Sequence, residues 1–164
     1  QVIGSIHTLC GYDLFYDGLY KERTKDEAYL LYLETMAKCV RSHGDFIDIL
    51  AHIDYIARNA TFAHPEISYG DFADDIDAVL RALIETDTVI EINTRRLSVP
   101  RGIKELAPVC RRYRELGGRY VTIGSDAHVP EGVGRNYDRA RELAHAFDLT
   151  VVTFRARKMQ ICEA

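Results

Sequence analysis

The chain has 164 residues, 47% apolar and 28% charged, with ten tyrosines and no tryptophan, an ordinary globular composition and enough length for one hydrophobic core. A formal net charge of −4 and a pI near 5.9 exclude a dedicated nucleic-acid surface, which needs a basic stripe. No apolar run approaches the ~20 residues of a membrane span, and the first residues lack a basic-then-apolar signal pattern.

Short apolar runs alternate with segments of helical period, the pattern of β/α units around a parallel sheet. Gln1-Val2-Ile3-Gly4-Ser5-Ile6 already reads as a core strand (2–6) and carries no starting methionine, so a native amino-terminal portion is expected to precede it. Residues 9–23 hold Tyr12, Phe15, Tyr16 and Tyr20 with Gly11 and Gly18. Such a loop can act as lid and wall of a site, or as plain surface packing. Thr24-Lys25-Asp26-Glu27 is a capping box. After it Ala28, Leu31, Tyr32, Met36, Cys39 and Val40 keep one face apolar up to Gly44, where the helix should end.

A strand at 46–50 comes next, then a helix from about Asp71 that buries Ile76, Val79, Leu80, Leu83 and Ile84. The pattern continues with a strand at 88–92 and a helix carrying Leu106, Val109, Cys110, Tyr113 and Leu116 that stops at Gly117-Gly118. A strand at 120–123, a helix at 138–147 and a strand at 150–153 complete it. Each strand is apolar enough to be buried on both faces. No repeat, low-complexity tract or linker divides the chain, so one domain over 1–164 is expected. The cysteines Cys10, Cys39, Cys110 and Cys162 are scattered, without a CxxC pair, which points to reduced thiols in a cytoplasmic protein. Five strands are too few for a usual β/α barrel of eight units and ~250 residues. That leaves a small open sheet or part of a barrel, and the abrupt start favours the part.

The chemistry lies at the strand ends. His7 follows the first strand, His52 the second, Asn93 and Thr94 the third, and Asp126 with His128 the fourth. In a parallel β/α array those ends share one rim, where barrel enzymes keep their active sites. In extended chain residues two apart point the same way, so Asp126 and His128 can face one site, as can His52 and Asp54, with Asp54 orienting a ligand from behind. Imidazole and carboxylate suit zinc, iron or manganese, at roughly 2.0–2.2 Å for zinc. Against this, a lone His7 reads more simply as a strand-end histidine and a lone Asp126 as a turn residue. His43 and His145 fall on or beside helices and His64 in a loop, away from the pattern.

Four segments then resemble one family in order. Gly124-Ser125-Asp126-Ala127-His128-Val129-Pro130-Glu131-Gly132-Val133-Gly134 is similar to the last metal-binding motif of histidinol-phosphatases of the polymerase and histidinol phosphatase (PHP) family. Asp45-Phe46-Ile47-Asp48-Ile49-Leu50-Ala51-His52-Ile53-Asp54 looks like the family's preceding histidine motif. Gly4-Ser5-Ile6-His7 resembles a strand with another histidine ligand, and Glu91-Ile92-Asn93-Thr94 the family's Glu-hydrophobic-Asn-Thr strand end. The resemblance implies an α/β fold, a distorted seven-stranded (β/α)7 TIM-like barrel of which only the later units are present, with a site for three divalent metals. It implies His7 and His52 on one metal, Asp126 on a second and His128 on a third, with Asp126 and His128 catalytic and Asp54 and Asn93 supporting. The family's amino-terminal His-x-His, further histidines and bridging glutamate have no counterpart here, so this chain alone is expected to be inactive or poorly folded.

The activity so implied is hydrolysis of histidinol phosphate in histidine biosynthesis, a metal-bridged hydroxide attacking phosphorus while metals hold the phosphoryl oxygens. Arg58, six residues past His52, and Arg95, just past Asn93-Thr94, are the expected phosphate contacts, with Arg135 a third. Solvated loop arginine is the plain alternative for each. The implied partner is a small phosphorylated substrate, with no nucleic acid and no membrane; self-association stays open. Competing readings are another PHP phosphoesterase, such as a protein tyrosine phosphatase, and an inactive truncated domain. The Gly132-Val133-Gly134 segment lacks the lysine of a phosphate-cradling loop and reads as a turn.

Overall fold

A computed structural model describes residues 1–162. In chain order the elements are β1 (Ile3–Gly4), a hairpin of β2 (Thr8–Leu9) and β3 (Tyr12–Asp13), α1 (Gly18–Glu22), α2 (Lys25–His43), β4 (Ile49–Leu50), α3 (Ala73–Glu85), β5 (Val89–Asn93), α4 (Pro100–Glu115), β6 (Tyr120–Gly124), α5 (Tyr137–Ala146), β7 (Thr150–Arg155) and β8 (Lys158–Ile161). Short 3-10 turns occupy Tyr55–Arg58, Arg96–Ser98 and Pro130–Gly132.

The main sheet has the order β1-β4-β5-β6-β7-β8, parallel up to β7, with β8 antiparallel on β7. Apart from the small β2–β3 hairpin, each new strand joins beside its predecessor, so successive crossovers fall on the same side. Accordingly α2 packs on α3, α3 on α4 and α4 on α5 in one layer. Leu50, Ile90, Val121 and Val151 stand side by side in register and belong to the core beneath those helices. Their neighbours Ile49, Val89, Glu91, Thr122 and Gly124 take the opposite face by strand alternation. There a groove of about 250 Å³ is lined by Ile3, Ile49, Glu91, Thr122, Gly124 and Val152, among others.

The α2–α3 pair shows how the sequence builds the core. The Thr24 hydroxyl accepts from the Glu27 N–H, and the Glu27 carboxylate accepts from the Thr24 N–H at 2.9 Å, which satisfies two orphan donors at the helix start. Tyr32, Leu33 and Met36 of α2 and Ile76, Leu80 and Leu83 of α3 are fully buried. Each such side chain contributes roughly 1.5–3 kcal/mol by leaving water. The helix does end at Gly44, but with right-handed φ of −55°. Glycine is required there by packing, since a β-carbon would run into the Thr86 side chain at the end of α3.

Three expectations need correction. The strands at 2–6 and 46–50 shrink to two residues each, and Ile3 is 47% exposed, so the first strand is a sheet edge and is not buried on both faces. Neither hairpin is announced by the apolar pattern. Their turns use Cys10-Gly11 (φ 51° and 82°) and Ala156-Arg157 (φ 50° and 62°), and the second lacks the glycine or asparagine that normally signals such a turn. After Val151, β7 leaves β6 and pairs only with β8. The turn of this last hairpin carries Arg157 to the Asp48 carboxylate (3.1 Å) and the Asp45 carbonyl (3.1 Å). Asp48 also accepts from the Val2 N–H at 2.7 Å, so one buried carboxylate ties β1, β4 and the hairpin together. Among the described residues all four cysteines are unpaired and no helix is long and apolar enough to cross a membrane.

Candidate metal and phosphate site

His52 leaves β4 with a positive φ of 23°, and its N–H donates to the buried Glu91 carboxylate at 3.0 Å. Glu91 also accepts from the Asn93 side-chain NH2 at 3.0 Å, and the Asn93 side-chain oxygen Oδ1 accepts from the Arg95 N–H at 3.1 Å. Asn93 thus sets both the carboxylate and the start of the loop that carries Arg95. His7 comes off β1 and stacks on His52, with ring centroids 5.1 Å apart and Nε2 atoms 3.3 Å apart. Partial desolvation against its neighbours and the nearby His52 hold the His7 imidazole below its ordinary value, favouring the neutral form that ligates metals.

Asp126, also at positive φ (46°), accepts from Arg58 Nη1 at 3.0 Å, with Arg95 Nη1 at 3.7 Å. Arg95 Nη1 lies 3.2 Å from His128 Nδ1, and that nitrogen lies 2.9 Å from the Asp126 carbonyl. His128 itself is two-thirds exposed. Two cavities meet along this rim. One of about 210 Å³ is lined by Arg95, Asp126, His128 and Arg135 among others, and a smaller one by His52, Asp54, Tyr55, Arg58, Asn93, Arg95, Arg96 and Asp126. His7, His52, Asp126, His128, Arg58, Arg95 and Asn93 therefore share one edge of the molecule, while His43 ends α2, His145 lies in α5 and His64 sits in a loop.

Asp54 lines the smaller cavity with His52 but makes no hydrogen bond to its ring. Its carboxylate pairs with Arg96 Nε at 3.2 Å, and Arg96 also binds Glu66. Burial raises the Asp54 carboxyl while Arg96 opposes the rise. The expectation failed because same-side spacing of two holds only in extended chain. The positive φ at His52 and the turn at Tyr55–Arg58 aim the Asp54 carboxylate at Arg96 instead of the His52 ring. The same triad explains Arg96, which pins two loops beside this cavity, whereas Arg95 reaches Asp126 and His128. Asp126 and His128 are neighbours, but through the His128 contact to the Asp126 main chain; their side chains are 3.8 Å apart.

The sequence names Glu91 only within a family-like strand end and gives it no role, and it does not single out Tyr55. A glutamate inside the apolar run Val89–Asn93 was the available signal, because a buried charge needs partners. Tyr55 had none, being set by a turn the sequence does not announce. In the 9–23 segment Leu14, Leu19 and Tyr20 are buried, and the Tyr20 hydroxyl donates to the Leu14 and Ile56 carbonyls at 2.9 and 3.1 Å. The segment is packed as surface structure, with Phe15 and Tyr16 exposed.

The donor set fits a divalent metal in part. Two imidazole nitrogens bound to one tetrahedral zinc at ~2.0–2.1 Å stand about 3.3 Å apart, the spacing of the His7–His52 pair. Among the described residues, however, no three His, Cys, Asp or Glu side chains form a metal-holding group, and His52 Nδ1 is buried without a hydrogen-bond partner.

Fold and rim together define an α/β protein with a mostly parallel central sheet whose strand ends gather imidazole, carboxylate and guanidinium groups. No protein-family model matches the chain. It is 45% identical over 159 residues to a "Probable histidinol-phosphatase" of Clostridium acetobutylicum, covering 97% of this chain and 62% of that protein. It is 28% identical over 144 residues to a histidinol-phosphatase of Lactococcus lactis subsp. lactis, covering 87% of this chain and 53% of the relative. The crystal structure of histidinol phosphate phosphatase from that organism, complexed with zinc, L-histidinol and phosphate, superposes with a TM-score of 0.84 at 26% identity, over 97% of this chain and 61% of the other. The chain thus spans about three-fifths or less of these proteins.

Proposed function

We propose that the chain is the carboxy-terminal part of a PHP-type histidinol-phosphatase, a metal-dependent phosphomonoester hydrolase acting on histidinol phosphate. The observation that carries this is the His7–His52 pair at zinc-ligand spacing on the same rim as Asp126, Arg58 and Arg95. The names of the relatives support the substrate, and the zinc, histidinol and phosphate of the Lactococcus structure support the metal and the ligand class.

In this reading His7, His52, Asp126 and His128 hold divalent cations, of which the complete site takes three. A bound divalent cation supplies a nucleophilic water at neutral pH and neutralises charge on phosphoryl oxygens. The chain's own groups do the positioning. Arg58 and Arg95 clamp the phosphoryl oxygens by charge-assisted hydrogen bonds, with Arg135 at the outer wall. Glu91 fixes His52 through its backbone, and Asn93 fixes Glu91.

The sheet is open, with β1 and β8 at its edges, and the relatives are longer. In this reading preceding strands complete a distorted barrel and supply the third ligand at the histidine pair. The 164-residue chain alone is then inactive. That is tested by phosphate release from histidinol phosphate, with metal analysis, on the whole protein and on this chain. The reading predicts zinc and turnover in the first only. Metal with turnover only of other phosphate esters replaces it by a different phosphoesterase, and absence of metal from both by a non-catalytic domain.

A further inference from the structure

Among the described residues Tyr55 is the one side chain on this rim whose ring meets both imidazoles and a phosphate-site arginine. Its ring centroid is 4.4 Å from that of His7 and 4.8 Å from that of His52, at interplanar angles of 42° and 33°. The Arg58 guanidinium lies over the same ring at 5.7 Å. The turn Tyr55–Arg58 that begins with this residue also ends with Arg58, and its inner residue Ile56 is fully buried, which anchors the turn in the core. The ring therefore has little freedom. His7 has no such anchor: it is exposed, and the side-chain contacts that fix its ring are His52 and Tyr55.

We propose that Tyr55 is a positioning residue for this site, an aromatic spacer that holds the His7 imidazole in register with His52 and, through its other contact, seats Arg58. The two jobs run through one ring, so metal binding by the histidines and phosphate binding by the arginine depend on a common support. The hydroxyl is not required for either; the face and width of the ring are. This inference rests on the metal and phosphate reading of the rim.

The test is Co(II) titration of the metal-stripped whole protein, followed by its visible spectrum, together with steady-state kinetics on the phosphate ester. Tyr55→Phe should stay within about twofold of the parent in Co(II) affinity, kcat and KM. Tyr55→Leu should bind Co(II) about tenfold more weakly with a shifted absorption band, and raise KM several-fold, the size that aromatic and cation–π contacts carry. A Leu variant identical to the parent overturns the proposal, and so does a Phe variant as impaired as the Leu one. Tyr55→Met is the second ringless variant; if neither it nor Leu folds, the ring is a core element and the proposal fails. A parent protein that takes up no Co(II) refutes the site reading itself, before any variant is compared.

Discussion

The Glu91 carboxylate fills the space in which a side chain at position 124 would begin, since a β-carbon on Gly124 would overlap its Oε1. Asn93 and Gly124 are in register across β5 and β6, with Glu91 beside Thr122. Only glycine lets the carboxylate lie flat on the sheet while its other oxygen takes the His52 N–H and the Asn93 amide. Gly124→Ala should push the carboxylate off these donors. Leaving them unpaired in a buried place costs about 1–3 kcal/mol, read as a lower urea midpoint, with weaker zinc binding in chelator competition. An unaltered midpoint would mean that Glu91 moves aside freely.

The four proposed ligands differ in their surroundings, so their replacement should not be uniform. His52 is buried and His7 touches it, whereas His128 is largely exposed. His52→Ala and His7→Ala should each weaken zinc binding by more than about 100-fold, beyond what loss of a supporting partner does. His128→Ala should have a smaller effect on the tightest-bound ion. Chelator competition on the whole protein measures this, and equal losses at all three positions would contradict separate metal positions.

Arg58 and Arg95 separate by burial. The Arg58 side chain is 19% exposed and bonds Asp126 at 3.0 Å, whereas Arg95 is 41% exposed at 3.7 Å. Arg58→Ala should raise KM for the phosphate ester roughly 10- to 100-fold, the range of a charge-assisted hydrogen bond. Arg95→Ala should raise it less, and Arg58→Lys should recover only part because the fork is lost. An unchanged KM for Arg58→Ala would remove it from the substrate site.

How much of this the sequence disclosed follows a physical division. Helices α2 to α5 were legible because their apolar spacing and, for α2, the Thr24–Glu27 box are local signals. The rim was legible for a similar reason: His7, His52 and Asp126 each sit just past a strand, and parallel strands share their ends. What stayed hidden depends on backbone rotation at single residues. Asp126 and His128 still line one cavity despite a positive φ at Asp126, but the positive φ at His52 broke the rule that linked it to the residue two further on. That is why Asp54 turned out to serve Arg96. Glu91 meets His52 only across β4 and β5, and nothing near either residue in the chain announces their contact.

Asp77 offers a test of stability away from the rim. Arg112 forks onto it, with Nε–Oδ1 at 2.9 Å and Nη2–Oδ2 at 2.6 Å, and the Tyr69 hydroxyl donates to Oδ1 at 2.9 Å, which ties α3 to α4. The Arg112 bonds, with help from Tyr69, hold the carboxyl below its ordinary value. A carboxyl with a lower pKa folded than unfolded stabilises the fold above the unfolded value of ~3.9 and loses that contribution as pH falls through the folded one. Asp77→Asn should therefore cost about 1.5–3 kcal/mol near pH 7, the range for hydrogen bonds to charged groups. The gap between parent and variant should narrow as the pH drops below about 4. Urea denaturation of both proteins at several pH values measures the gap; if it held constant down to pH ~2, the Asp77 charge would not be what joins the two helices.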